Sequence, residues 1–477
     1  FEKKILIKNV YFYHFLLFIT CVVSRIITSI FYIEDIDSLR FALSLIDYDI
    51  SKLQPHFPGY FVHHIIIKPI YLLTSNTGLS FGIVGGLSIY ICILSLLKIF
   101  SVSLNSQKGL FITLFIFFNP LIWLMSNRYM PDILGLAFLS LSFYYLINFQ
   151  NNFYLGPLFF GLLSGLRLSY IPFLIFPLYQ GFTKTYHKKK YVFTIIFGIL
   201  IWVLPLVLTT GLKDFLTIAM NQSQGHFYDF GGTIISNNNF FERISNFFMS
   251  IWADGMGGYA KGRSVLSLLI SILLSFLLIN IINVWPKIYK NNLFKVLFIS
   301  IMIYSLWIFF FQNIIYKSRH VLPLVLFLIP VMILSVFQFK QFNKSLRTIL
   351  LSLFLIIQSI LTIILTIQHK EEPSAIFQVK EFVTENSNNK TIVSIPLINF
   401  YLKSHGINST FIDIDDKNFQ NKIEINNNHE NIILIGEFLN IIDNKNEYLK
   451  SDTSFYHNPF VNKMWSEITV YSLSEKK

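Results

Sequence analysis

Cysteine is nearly absent from this chain of 477 residues: there are two, Cys21 and Cys92, and both fall inside apolar runs. No disulfide framework is expected from them, and the redox compartment stays open. Acid is scarce too. From Phe1 to His369 the only carboxylates are Glu2, Glu34, Asp35, Asp37, Asp47, Asp49, Asp132, Asp214, Asp229, Glu242 and Asp254. Charge of either sign makes up only 13% of the chain, against 53% hydrophobic residues, 51 Phe and a mean hydropathy of +0.56. Those values exclude a soluble domain of this length. The formal charge of +12 does not point to nucleic acid, because Lys and Arg stand in short clusters between apolar runs and form no patch. There is no repeat of fixed period and no pair of broken helices in two related halves. Behind the first apolar run there is no small-residue cleavage pattern, so that run is expected to be a retained helix and not a signal peptide.

What is present is a succession of apolar runs. Tyr11–Ile33 is the first, and others fall near 79–97, 110–126, 132–148, 153–166, 168–183, 191–212, 264–284, 293–312, 320–338 and 348–368. They predict an α-helical polytopic membrane protein with about eleven spans of about twenty residues each, some short and kinked. Lys3, Lys4 and Lys8 place the N-terminus in the cytoplasm. Lys98 with Lys108, Lys184 with Lys188 to Lys190, Lys287 with Lys290, and Lys340 with Lys344 and Arg347 then fall in alternate loops, which are cytoplasmic. The remaining loops lie outside, and every carboxylate named above except Glu2 lands there. Ser38–Ile46 and Gly59–Leu73 are expected to be outer-surface juxtamembrane helices.

Residues 1–369 read as the transmembrane domain, with two outer loops of interest, 34–60 and 213–263. The second contains QSQGHFYDFGGT (Gln222–Thr233) and has the composition of an ordered loop. Residues 370–477 change character: acids and Asn become frequent, and β-rich runs at Thr391–Ile395, Asn431–Ile435 and Ile468–Leu473 alternate with helical stretches near 374–386 and 397–405. This predicts a small soluble α/β domain on the extracytoplasmic side.

The outer face thus gathers Glu34, Asp35, Asp37, Asp132 and Asp229 with His56, His63, His64, His226 and His320 and with Arg40, Arg128, Arg167, Lys317 and Arg319. Carboxylates beside cations suit group transfer from a lipid phosphate, since one deprotonates an acceptor while the others stabilise a departing phosphate. Arg319 is the first choice for that phosphate, because a guanidinium grips it bidentately; structural pairing is the other reading. Arg167, within GLLSGLRLSYIPF, holds phosphate, pairs with an acid or snorkels outward. Asp132 follows Pro131 at a helix start, where stabilising the helix N-terminus is an alternative to function. Pro55 and Pro58 hold His56 in rigid chain. His226 and Asp229, three apart, bind a metal or a sugar or only brace their own loop; two ligands are too few to define a metal site. The sequons at Asn221, Asn389 and Asn408 carry no weight in Asn-rich sequence.

Several of these stretches, in this order, resemble the GT-C class of membrane glycosyltransferases, and within it the family 39-like bacterial members related to protein O-mannosyltransferases and aminoarabinose transferases. Asp37-Ser38, then Arg40-Phe41-Ala42-Leu43 and Asp49, resembles the relatives' first outer loop. Gln54-Pro55-His56-Phe57-Pro58-Gly59-Tyr60 is similar to their QPHPPGY signature with Phe57 in place of a proline. Arg128-Tyr129-Met130-Pro131-Asp132 resembles the acid at the outer start of a later helix. Gly225-His226-Phe227-Tyr228-Asp229-Phe230-Gly231-Gly232 looks like a GHF-D-GG segment, and Ser318-Arg319-His320-Val321-Leu322-Pro323 looks like the Arg-aromatic-Leu-Leu-Pro entry to a late helix, with His320 a departure. The tail Phe455–Tyr471, with His457-Asn458-Pro459-Phe460 and Met464-Trp465, is similar to the relatives' C-terminal end.

The resemblance implies a sugar donor on a polyprenyl phosphate, membrane lipid as surroundings, and a glycan, lipid or protein acceptor. Transfer would be a single inverting displacement in a bacterial inner membrane, with a divalent metal an open possibility. It implies Asp37, or Asp132, as the catalytic acid residue, with Asp37 as the base; Asp37 capping the helix that starts at Ser38 is the structural alternative. Glu34 and Asp35 are expected to be solvated boundary residues, either of which could replace Asp37 as base. The competing class is a transporter or lipid flippase, which would place polar residues near helix midpoints and show two related halves.

Overall fold

The structure is a computed structural model that describes residues 2–148, 153–236, 239–314, 317–339, 343–386, 390–416, 432–442 and 448–475. Lys340, Asn389 and Asn431, named above, lie outside them. Each of the eleven apolar runs is helical. Six helices are long and apolar enough to cross a membrane: Thr77–Ile99, Lys188–Thr210, Val265–Ile288, Asn292–Phe311, Ser318–Gln338 and Lys344–Asn386. A bent pair, Gln107–Phe117 and Pro120–Asn127, raises this to seven if it is one span. Length and apolarity therefore account for six or seven of the eleven expected crossings; Tyr11–Ile27, Asp132–Ile147 and Leu155–Ser164 are shorter apolar helices. The first helix stops at Ile27, six residues before the end of its apolar run, so the loop after it begins earlier than expected.

The chain divides into two compact units, residues 1–30 with 43–367, and residues 31–42 with 368–477. In the larger unit, helix Thr77–Ile99 is central because three of its glycines admit close neighbours. A Cβ on Gly85 would meet the carbonyl oxygen of Ser126 at 1.9 Å, and one on Gly86 would meet the Cα of Val22 at 2.6 Å.

The run 110–126 breaks by 53°. Asn119 accepts from the amide of Ile122 and Pro120 opens the second piece, a start signal in the middle of an apolar stretch. The carbonyls freed at the break are all taken up. Phe117 O accepts from Arg25 Nη2 at 3.1 Å, and Phe118 O accepts from Gln358 Nε2 at 3.1 Å and Thr362 Oγ1 at 2.6 Å. Arg25 is fully buried, its guanidinium 3.8 Å from the ring centre of Trp123. A buried cation is costly, and here carbonyl and aromatic faces offset that cost. The break sets the direction of Pro120–Asn127 and so of the segment that leads to Asp132.

The described residues of 213–263 carry local structure. They form helices Leu212–Gln224 and Phe240–Met249 and two π-turns, Gly225–Asp229 and Ser250–Gly255. Arg243, fully buried, donates to the carbonyls of Gly232 and Gln312, each at 2.7 Å, and to that of Phe309.

The smaller unit contains a five-stranded sheet among its described residues: β1 (Thr391–Ser394), β2 (Thr410–Asp413), β3 (Ile432–Ile435), β4 (Tyr448–Tyr456) and β5 (Glu467–Glu475), in the order β2-β1-β3-β5-β4. β1 is parallel to β2 and β3, and β5 is antiparallel to β3 and β4. Helix Pro396–Ser404 makes the crossover from β1 to β2. Val393, Ile412, Ile432, Leu434 and Leu473, all on strands of this sheet, form one buried core cluster.

Candidate active site

In the larger unit the site begins at Asp132, the first residue of helix Asp132–Ile147, fully buried. Arg167 Nη2 lies 2.9 Å from Asp132 Oδ1. Tyr170 donates its hydroxyl to the same oxygen at 3.5 Å. Arg167 also reaches Tyr60 Oη at 3.4 Å, and Tyr60 Oη is 3.1 Å from His56 Nε2. Pairing with an acid, one of the readings left open for Arg167, is therefore observed. Four residues far apart in sequence, Asp132, Arg167, Tyr60 and His56, form one polar chain.

The loop bearing His56 is built by short-range rules. Asp49 and Gln54 exchange backbone hydrogen bonds at 2.8 and 2.9 Å. Asp49 caps the turn Ile50–Lys52 through the amide of Ser51, and that bond, the Ser51 hydroxyl and Lys52 hold its carboxyl below the usual range. Gly59 has φ +87°, and a Cβ there would lie 2.9 Å from the Tyr48 hydroxyl, which donates to Gly59 O at 2.6 Å. Only glycine fits this close approach without strain.

Cations collect near this chain. Arg319, in the 3₁₀ turn Ser318–Val321, places Nη1 3.6 Å from Met130 Sδ, and Arg128 places Nη1 3.7 Å from Met125 Sδ. His320 is buried and within electrostatic reach of Arg167, Arg319, Lys317 and His226. His226 sits 2.8 Å from the carbonyl of Phe311 through Nε2. Burial above all, with Lys317 and Arg167 adding to it, lowers the His226 imidazole below its ordinary range despite that carbonyl; since a carbonyl only accepts, Nε2 carries a proton and donates it. Asp229 is exposed, so the two members of the expected His226–Asp229 pair face different surroundings. Asp254 steadies the Arg319 turn: it accepts from Ser318 Oγ at 2.5 Å and pairs with Arg263 at 2.9 Å. Among the described residues no three His, Cys, Asp or Glu side chains are grouped to hold a metal ion.

In the smaller unit the acids of the first outer loop differ from expectation. Glu34 and Asp35 are 1% and 2% exposed and are not solvated boundary residues. Glu34 Oε2 lies 2.5 Å from His369 Nε2, and Asn462 Nδ2 lies 3.4 Å from Glu34 Oε1. Asp35 accepts from the amide of Ser38 at 2.7 Å. The helix here is Ile36–Ser44, so the capping role weighed for Asp37 belongs to Asp35. Asp37 lies in the first turn, its Oδ1 3.8 Å from Arg40 Nη1.

Sequence reasoning missed Arg25, Arg243, Tyr170, His369 and Asn462. Arg25 carried a usable signal, a charge inside an apolar run. His369 carried none, because its partner Glu34 lies more than three hundred residues away.

An integral-membrane helical unit with several helices apolar enough to cross a membrane, one bent pair among them, and a small α/β unit at the chain end is the fold of the GT-C membrane glycosyltransferases. Among solved structures, the chain resembles ArnT from Cupriavidus metallidurans bound to undecaprenyl phosphate, with a TM-score of 0.54 over 96% of this chain and 97% of that one at 9% identity. The apo state of the same ArnT aligns at a TM-score of 0.48, 11% identity and the same coverage. The Archaeoglobus fulgidus oligosaccharyltransferase tethered to an acceptor peptide containing the NVT sequon aligns at 0.49 and 10% identity, over 90% of this chain and 69% of that one. At such identity the likeness speaks for the fold alone. No protein-family model and no curated protein matches the sequence.

Proposed function

We propose that the chain is a glycosyltransferase that moves a sugar from a polyprenyl-phosphate donor to an acceptor hydroxyl at the extracytoplasmic face of a bacterial inner membrane, with inversion. The observation that carries this reading is the cationic group of Arg167, Lys317 and Arg319 beside His226 and His320, in a fold shared with a protein bound to undecaprenyl phosphate. Arg319 and Lys317 take the donor phosphate. Asp132 holds Arg167 in place through their contact at 2.9 Å.

Asp37 is the base. The acceptor oxygen forms its bond to the anomeric carbon as the bond from that carbon to the phosphate oxygen breaks. The electron pair stays on the phosphate, which leaves as polyprenyl phosphate against the cations, and the acceptor proton passes to Asp37. Arg128, His56 and Asp229 are proposed sugar- or phosphate-binding groups, with Arg40 orienting Asp37 through their contact. The N-terminus is cytoplasmic and the 370–477 domain extracytoplasmic.

The test is transfer from a panel of labelled polyprenyl-phosphate sugars by the purified protein, beside Asp37→Asn with its melting curve. Transfer by the parent, abolished in a folded variant, is the expected result. Full activity of Asp37→Asn sinks Asp37 as base. Lipid or solute movement in vesicles with no transfer supports a transporter.

A further inference from the structure

Residues 31–42 stand apart from the chain around them: they form one compact unit with residues 368–477. Three consecutive residues are fixed by groups from the C-terminal part. Tyr32 donates its hydroxyl to His369 O at 2.5 Å. The carbonyl of Ile33 accepts from Tyr401 Oη at 2.5 Å. Glu34 meets His369 Nε2 and Asn462 Nδ2, with both ionisable side chains 1% exposed. Asn462 is held in turn, because its carbonyl lies 2.8 Å from His457 Nε2 while His457 Nδ1 accepts from the amide of Ala375 at 2.9 Å. That pattern fixes the His457 tautomer with the proton on Nε2.

From Glu34 onward the chain has little freedom. Asp35 caps the helix Ile36–Ser44, and Leu39 N donates to Asp35 O at 3.0 Å. Asp37 is therefore three residues from a buried, hydrogen-bonded anchor, across a capped helix start. A buried polar group is costly to leave without partners, so Glu34 does not drift from His369.

We propose that His369 and Glu34 are a positioning pair, through which the C-terminal domain sets the place of the Asp37 carboxylate. The pair touches no substrate in this scheme; it acts through Asp37. The inference rests on the reading of Asp37 as base. It gives residues 368–477 a role in the reaction and accounts for the His457-Asn458-Pro459-Phe460 tail, whose His457 locks Asn462 onto Glu34.

The full-length protein is compared with His369→Ala and with His369→Gln, which keeps a nitrogen donor. Hydrogen exchange is measured over residues 31–44, the melting temperature is recorded, and kcat and KM are measured with a polyprenyl-phosphate sugar that the parent uses. Expected for His369→Ala are faster exchange confined to 31–44 and a fall in kcat on the order of 100-fold, the scale of an ångström-sized misplacement. KM should be unchanged, because the phosphate group of cations belongs to the other unit, and His369→Gln should restore most of kcat. Unchanged exchange over 31–44 overturns the proposal even if no donor is ever found. Faster exchange with unchanged kcat also overturns it. Loss of kcat with a general fall in melting temperature and no recovery in His369→Gln shows a merely structural role and overturns it as well. A parent inactive with every donor defeats the glycosyltransferase reading, and faster exchange confined to 31–44 then still supports the coupling of that loop to His369.

Discussion

The residues that define the site are pairs whose members depend on each other. Asp132 and Arg167 are both buried and 2.9 Å apart, so removing one leaves the other charged and unpaired in a region of low dielectric. Asp132→Ala is expected to cost about 3 kcal/mol or more, read as a lowered midpoint of thermal unfolding in detergent. Asp132→Ala combined with Arg167→Met should cost clearly less than the two single changes added together, because no orphan charge remains. Additive losses would show that the two side chains do not interact. At this scale the sequence was only partly legible. Asp132 and Arg167 were each visible as charges at the ends of apolar segments, but their pairing spans 35 positions and no local pattern encodes it. The helix begins at Ile36 and not at Ser38, and a shift of two residues moves the capping role from Asp37 to Asp35.

Elements were more legible than contacts. Apolar runs report burial in lipid or core directly, which is why each became a helix. What the runs conceal is interruption. The stretch 110–126 is apolar throughout, yet Asn119 followed by Pro120 is a helix-start signal, and the chain bends there by 53°. Helix packing was not readable either. Gly85 is one of several glycines in its helix, and only the structure shows the Ser126 carbonyl where its Cβ would stand, at 1.9 Å. Backbone cannot yield as a flexible side chain can, so Gly85→Ala must push Thr77–Ile99 away from Pro120–Asn127. The expected result is a lowered melting temperature together with loss of transfer, since Pro120–Asn127 leads to Asp132. A variant with parental stability would mean that these helices tolerate separation.

For the whole molecule, composition puts a boundary at residue 370, and the compact unit at the chain end comprises residues 368–477 together with the segment 31–42. A soluble domain is recognised by its own composition, and a borrowed loop is not. Under the proposed function, Arg319 and its cationic neighbours recognise the phosphate of a lipid-linked donor. The direct measurement is binding of undecaprenyl phosphate and of undecaprenol, which lacks the phosphate, to the purified parent and to Arg319→Ala. The parent is expected to bind undecaprenyl phosphate and to discriminate against undecaprenol, and Arg319→Ala to weaken undecaprenyl phosphate binding by about tenfold, the value of one charge-assisted contact. Equal binding of the two lipids, or undiminished binding by a folded Arg319→Ala, would contradict it.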